Sequence, residues 1–183
     1  GIWDIIYEHC FYYTAPAITR LFESCGFEVQ STYESFGAQY LCLEAKPTTG
    51  GARTSHGRQE ADVAALATEV EAFARNYQER ITEWRRILSQ ARQQTKRVVL
   101  WGAGAKGATF LNALREVSSI EYIVDVNPHK HGRFVPGTGQ QVVNPEFLKT
   151  YRPDLVVITN PNYEQEIKRA VGNLGVSPEF RLV

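Results

Sequence analysis

The sequence predicts an α/β chain: a doubly wound parallel sheet, preceded by a long connecting helix and a small α+β segment. Three observations lead there. The apolar run Val98-Val99-Leu100-Trp101 meets Gly102-Ala103-Gly104-Ala105-Lys106-Gly107, and helix-forming residues follow to Leu114. Beyond residue 97, short apolar runs alternate with helical stretches, the pattern of strand–helix–strand units with parallel strands. Residues 59–96 carry Val63, Leu66, Val70, Phe73, Tyr77, Ile81, Trp84, Leu88 and Ala91 at spacings of three and four, which reads as one long amphipathic helix.

The bulk properties exclude several classes. The 183 residues carry 20 Lys and Arg against 20 Asp and Glu. Zero net charge argues against a nucleic-acid partner, which needs clustered excess base. No apolar run approaches the roughly 18–20 residues of a membrane span. Cys10, Cys25 and Cys42 are scattered and form no C-x-x-C. A reduced, cytoplasmic chain with no metal site is the expectation. Methionine is absent, and Gly1 runs straight into Ile2-Trp3-Asp4-Ile5-Ile6. That start reads as a tag remnant or a cut within a longer protein.

The elements follow in order. In residues 1–47, Thr14 is a plausible N-cap and Pro16 fits a first turn. Ile18, Leu21, Phe22 and Cys25 then mark a helical face that Gly26 stops. Phe27–Tyr33 and Gln39–Lys46 read as strands around Glu34-Ser35-Phe36-Gly37-Ala38. At this length the block is marginal by itself. Residues 48–96 are a turn-rich linker and the long helix, which connects domains by packing on its own chain or pairs with a second copy in a homodimer. Residues 97–183 carry the sheet. Its strands are Arg97–Trp101, Ile120–Val126, Gln141–Val143, Asp154–Thr159 and Glu179–Val183. Between them, Asn144 and Pro145 open a helix that ends before Pro153, and Tyr163–Asn173 is the next.

The glycine turn carries the chemistry. In G-x-G-x-x-G after a strand, the first glycine makes the tight turn and the second lets a pyrophosphate approach the backbone. The third lets helix pack on strand, as in Rossmann-like nucleotide sites. The helix N-terminus adds free N–H groups and partial positive charge. Lys106 opposes that dipole, which an anion beside it would explain. Asp125, eighteen residues past Gly107, either holds ribose hydroxyls or caps the following loop. In the loop after it, Asn127 belongs to the expected carboxyl edge, and Lys130 and Arg133 have the charge to meet phosphates. His129 and His131 read as solvated histidines rather than metal ligands. Asn160–Asn162 reach the same edge at the exit of the fourth strand of this domain. Near the start, Tyr7-Glu8-His9 sets a histidine beside a carboxylate, which suits a general base or a simple packing pair.

Two spaced motifs resemble a known family. G-A-G-A-K-G-A-T-F-L-N, followed by Y-I-V-D-V-N-P-H-K-H-G-R-F-V-P-G-T, resembles the C-terminal domain of S-adenosylmethionine-dependent sugar C-methyltransferases. Asn162-Tyr163 with Glu166-Ile167 looks like that domain's fourth-strand exit. Glu8-His9, the aromatic patch Phe11-Tyr12-Tyr13 and Gly26-Phe27-Glu28-Val29 resemble the tail of the family's methyltransferase domain. The chain departs from the pattern at Phe36-Gly37-Ala38, where H-G-G is usual, and has one residue fewer between Tyr7 and His9.

The resemblance implies methylation of a carbon beside a ketone in a nucleotide-linked sugar. It implies His9 as the base with Glu8 and Tyr7 beside it. Gly102, Gly104, Lys106, Gly107, Asp125, Asn127, Lys130 and Asn162 would hold the substrate. It also implies S-adenosylmethionine bound mainly upstream of Gly1, so that the isolated chain is inactive. Two other readings stay open: an NAD(P)-binding module of an oxidoreductase or regulator, and an inactive scaffold that dimerises through helix 59–96.

Overall fold

A computed structural model describes residues 2–6, 9–48, 60–116 and 119–183. The chain forms two units, Gly1–Ile6 with Phe73–Val183, and Tyr7–Ala72.

The smaller unit holds a helix, α1 (Ala15–Ser24), and an antiparallel hairpin of β1 (Phe27–Ser35) and β2 (Tyr40–Pro47). Thr14 caps α1 by accepting the Ala17 N–H at 3.4 Å. Gly26, with φ +84°, turns the chain out of the helix. Phe22 then meets Phe27 edge-on at 5.6 Å. The hairpin pairs from Phe27–Pro47 to Ser35–Tyr40, with a shift of register between Val29 and Ser31. Its turn therefore spans residues 36–39, beginning two residues later than expected and ending one later. Phe36, Gly37 and Ala38 all have φ between 52° and 62°. For Phe36 and Ala38, which carry a Cβ, this conformation costs about 1–2 kcal/mol each. None of residues 9–48 is buried, as expected of a block too short to enclose a core.

The larger unit is the sheet. Helix α2 (Glu60–Gln93) leads to β3 (Val98–Trp101), α3 (Ala105–Ala113), β4 (Ile120–Val124) and β5 (Gln141–Val143). The short α4 (Leu148–Tyr151), β6 (Leu155–Ile158), α5 (Glu164–Asn173) and β7 (Glu179–Leu182) complete it. The strand order is β5-β4-β3-β6-β7, and every pair is parallel. Every residue of β3 and β6 is buried, as helices on both faces require.

Alternation along β3 sorts its side chains to two cores. Val98 and Leu100 join Trp84, Leu88, Phe110 and Leu111 on one face. Val99 and Trp101 join Leu148, Val156, Ile167 and Val171 on the other. This is the doubly wound, Rossmann-like sheet that the sequence predicts.

Of the boundaries that differ from expectation, two bear on the site. The strand expected over Ile120–Val126 stops at Val124, because the Asp125 carboxylate turns back to bind loop amides and Val126 is left 67% exposed. Residues 2–6, expected within the first block, belong to the sheet unit. Ile2–Asp4 forms a 3-10 turn whose Trp3 is buried against Phe110, with ring centroids 5.0 Å apart. Trp84 from α2 meets the same ring at 5.0 Å. The C-terminal part of α2 packs on the sheet through Ile81, Trp84, Ile87, Leu88 and Ala91, whereas Val63, Leu66, Val70 and Phe73 are exposed.

Candidate functional site

The sheet's order reverses between β3 and β6. The chain leaves β3 for β4 and β5 on one side, then returns to β6 and β7 on the other. At such a switch point the connecting helices diverge and open a crevice beyond the carboxyl ends of the strands. Here the crevice has a volume of about 310 Å³. Trp101 and Gly102 line it at the end of β3, Asp125 and Val126 just beyond β4, and Thr159 and Asn160 just beyond β6. Tyr163, Glu166, Ile167 and Ala170 line it from the segment of α5.

The three glycines of the turn answer to different constraints. Gly102 has φ +112°, and a Cβ there would strike the Thr159 hydroxyl oxygen. That hydroxyl donates to the Trp101 carbonyl at 3.0 Å, tying β6 to β3 across the mouth of the crevice. A Cβ at Gly107 would strike the Gly102 carbonyl oxygen. Gly104 is different. Its φ of −99° and ψ of −173° suit any residue, and nothing lies within 4 Å of where its Cβ would stand. The fold itself therefore requires the first and third glycines but leaves open space over the second.

Gly104 is also the N-cap of α3 and has no side chain to cap it. The first helical bond of α3 runs from the Ala108 N–H to the Gly104 carbonyl at 3.0 Å. The amides of Ala105, Lys106 and Gly107 accordingly have no acceptor within the helix, the arrangement that attracts an anion.

Asp125 is buried and its carboxylate is engaged. Oδ2 accepts the Ala103 N–H at 2.8 Å and the Lys130 ammonium at 3.1 Å, while Oδ1 accepts the Asn127 N–H at 2.8 Å. Burial alone would raise its pKa. The Asn127 amide, the Lys130 ammonium and the Ala103 amide outweigh burial and hold the group below the usual carboxylate range. Asp125 thus pins the glycine turn to the loop after β4, and three of its roughly four lone-pair sites are taken.

The other residues singled out by the sequence are divided among different contacts. Lys106 meets the carboxylate of Asp4 at 3.1 Å, so an anion from the chain itself stands beside this cation. It lines neither the crevice nor the cleft of about 190 Å³ on the other side of the turn. Lys130 does line that second cleft, together with Ala103, Gly104, Arg133 and Phe134. Asn127 caps the 3-10 turn Pro128–Lys130, accepting the His129 N–H at 3.0 Å. The Asn162 N–H donates to Asn160 Oδ1 at 3.1 Å. His131 Nε2 lies 2.8 Å from the Asp125 carbonyl oxygen, and His129 is exposed. Among the described residues no group of three or more His, Cys, Asp or Glu is arranged to hold a metal ion.

His9 belongs to the smaller unit. It is exposed, and its ring stands edge-on to Tyr12 at 5.9 Å. Tyr7 and Glu8 lie outside the described residues. Phe11, Tyr12 and Tyr13, just after His9, are 73%, 59% and 46% exposed.

Sequence reasoning singled out neither Thr159 nor Asp4. Thr159 follows directly on the last residue of a buried strand, so its position was a usable signal. Asp4 gives none, since its pairing with Lys106 depends on Trp3 entering the core.

Residues 44–175 match the model of a protein family described as C-methyltransferase C-terminal domain. No curated protein sequence matches the chain. Three solved structures of a Rex-family repressor, RSP, resemble parts of it. RSP in complex with β-NAD⁺ and operator DNA is 16% identical, with a TM-score of 0.38 over 48% of this chain and 50% of that one. The structure described simply as RSP, a Rex-family repressor, is 15% identical, with a TM-score of 0.37 over 61% and 60%. RSP in complex with β-NADH is 14% identical, with a TM-score of 0.36 over 64% and 69%. The chain thus spans half the length of the first of these. No described helix is long and apolar enough to cross a membrane.

Proposed function

The chain belongs to the C-methyltransferase C-terminal domain family, and on that premise we propose that its sheet unit anchors the diphosphate of a nucleotide-linked keto sugar during S-adenosylmethionine-dependent C-methylation. The observation that carries this reading is the open space over Gly104 at the N-terminus of α3. The fold does not require a glycine there, whereas a phosphate close to the backbone does. Its oxygens would accept from the first amides of α3, and the helix dipole would favour its charge.

The engagement of Asp125 supports a substrate anchor over a dinucleotide site. In dinucleotide sites an acid at the end of the second strand hydrogen-bonds the ribose hydroxyls. Here that acid is committed to Ala103, Asn127 and Lys130. By the same reasoning the turn does not fit the ribose of S-adenosylmethionine. The reading leaves the methyl donor to another part of the intact enzyme.

The residues of this chain have two proposed tasks. The turn binds and orients the substrate, lowering the entropy cost of bringing the reactants into line. His9 takes the proton from the carbon beside the ketone, where the C–H is acidified because the resulting carbanion is an enolate. By the same resemblance, Glu8 and Tyr7, which precede His9 in the sequence, would assist that base. The chain in isolation would bind substrate without transferring a methyl group.

The experiment follows from Gly104. Valine at this position suits the extended backbone, puts a branched side chain over the turn, and weakens the cap by about 1 kcal/mol. Calorimetric titration of Gly104→Val with uridine diphosphate glucose and thymidine diphosphate glucose should show binding lost and the thermal transition nearly kept. Unchanged affinity would remove the turn from the substrate site. In the intact enzyme, His9→Ala should abolish turnover with little change in substrate affinity, and retained turnover would exclude His9 as the base.

A further inference from the structure

The glycine turn is a ridge between two clefts whose linings carry opposite charge. Gly102 faces the switch-point crevice, whose charged lining residues are the acids Asp125 and Glu166. Gly104 faces the smaller cleft, whose charged lining residues are the cations Lys130 and Arg133. Lys130 is partly answered by Asp125 at 3.1 Å. The Arg133 guanidinium makes no hydrogen bond or ion pair among the described residues, and Phe134 beside it is 64% exposed.

We propose that a nucleotide sugar lies across this ridge in one direction, with its nucleoside diphosphate on the side of Lys130, Arg133 and Phe134 and its sugar in the crevice beside Asn160, Tyr163 and Glu166. The proposal rests on the anchoring of a diphosphate at the turn. Donor and acceptor chemistry sets the direction. Phosphate oxygens only accept hydrogen bonds. They match a guanidinium, which donates through two parallel N–H groups, and they are repelled by the carboxylates of the crevice. Sugar hydroxyls donate, so they match Glu166 and the side-chain oxygens beside it. Phe134 offers an apolar face on which a base can stack. Arg133 and Glu166 thereby become specificity-determining residues for opposite ends of one ligand.

The test titrates the 183-residue chain with uridine and thymidine diphosphates and with their glucose conjugates, comparing Arg133→Ala and Glu166→Gln with the unaltered protein. Both positions are exposed, so the fold should survive, which thermal melting checks. Arg133→Ala should weaken nucleoside diphosphate and conjugate alike, by about tenfold or more, and flatten the salt dependence of both. Arg133→Lys should restore part of the loss. Glu166→Gln should leave the diphosphates unchanged and weaken only the conjugates. The orientation is overturned if Glu166→Gln affects both ligand types equally or neither, or if Arg133→Ala spares the diphosphates. If the unaltered chain binds none of the four ligands, the anchoring reading fails, and the orientation fails with it.

Discussion

Gly102, Gly104 and Gly107 share one turn, and only two of them are required by the protein's own atoms. Gly107→Ala would drive a methyl group into the Gly102 carbonyl. It should cost about 1–3 kcal/mol in denaturant unfolding, and a neutral result would mean that α3 moves away freely. Asp125 makes the complementary prediction. Its pKa is lowered in the folded chain, so its contribution is present above the unfolded carboxylate pKa of about 3.9. The contribution is lost as pH falls through the lower folded value. Asp125→Asn should therefore destabilise the chain at neutral pH by about 1–3 kcal/mol. It should also flatten the fall of stability on the acid side, and a parallel pH curve would contradict the assignment. The sequence carried both readings of Asp125. Ribose ligand and loop cap place an acid at the same position, and only the directions of its two oxygens separate them. The same limit applies to Lys106. Spacing marks it as a cation at a helix start, while its partner Asp4 is 102 residues away in the chain.

Helix α2 shows what periodicity can and cannot resolve. Its spacing of three and four fixes the apolar face over the whole length, so the helix is readable from residues alone. What covers that face is not. Ile81, Trp84, Leu88 and Ala91 are buried against the sheet, and Val63, Leu66, Val70 and Phe73 are exposed. Trp84 is 2% exposed and Trp3 is 5% exposed, and both meet Phe110. Truncating either to alanine should cost about 3–5 kcal/mol, measurable by chemical unfolding. A loss below about 1 kcal/mol for Trp3→Ala would show that residues 2–6 are dispensable to the sheet unit. For the exposed stripe, whose apolar residues keep a coiled-coil spacing, we propose the alternative of pairing with a second copy. Static light scattering should then give twice the chain mass, falling to one when Leu66 and Val70 are changed to Glu. A single mass for the unaltered chain would exclude the dimer.

For the molecule as a whole, the parallel sheet was the most legible part, because β-α-β alternation and a glycine turn leave few other arrangements. The strand boundary at Val124 was less so, since side-chain capping ends β4 where apolar character continues to Val126. Residues 9–48 were legible as helix and hairpin, yet none of them is buried. That unit exposes Phe11, Tyr12, Tyr33, Phe36 and Tyr40, and it carries His9, the base we propose. The family match and the turn's geometry are the grounds on which we propose that this chain holds the substrate and another part of the enzyme the methyl donor. The most direct measurement is calorimetric titration of the chain with three ligands in parallel: a nucleotide sugar, S-adenosylmethionine and NADH. The account predicts a heat of binding for the nucleotide sugar and none for the other two. Tight binding of NADH or S-adenosylmethionine, with no binding of nucleotide sugars, would contradict it.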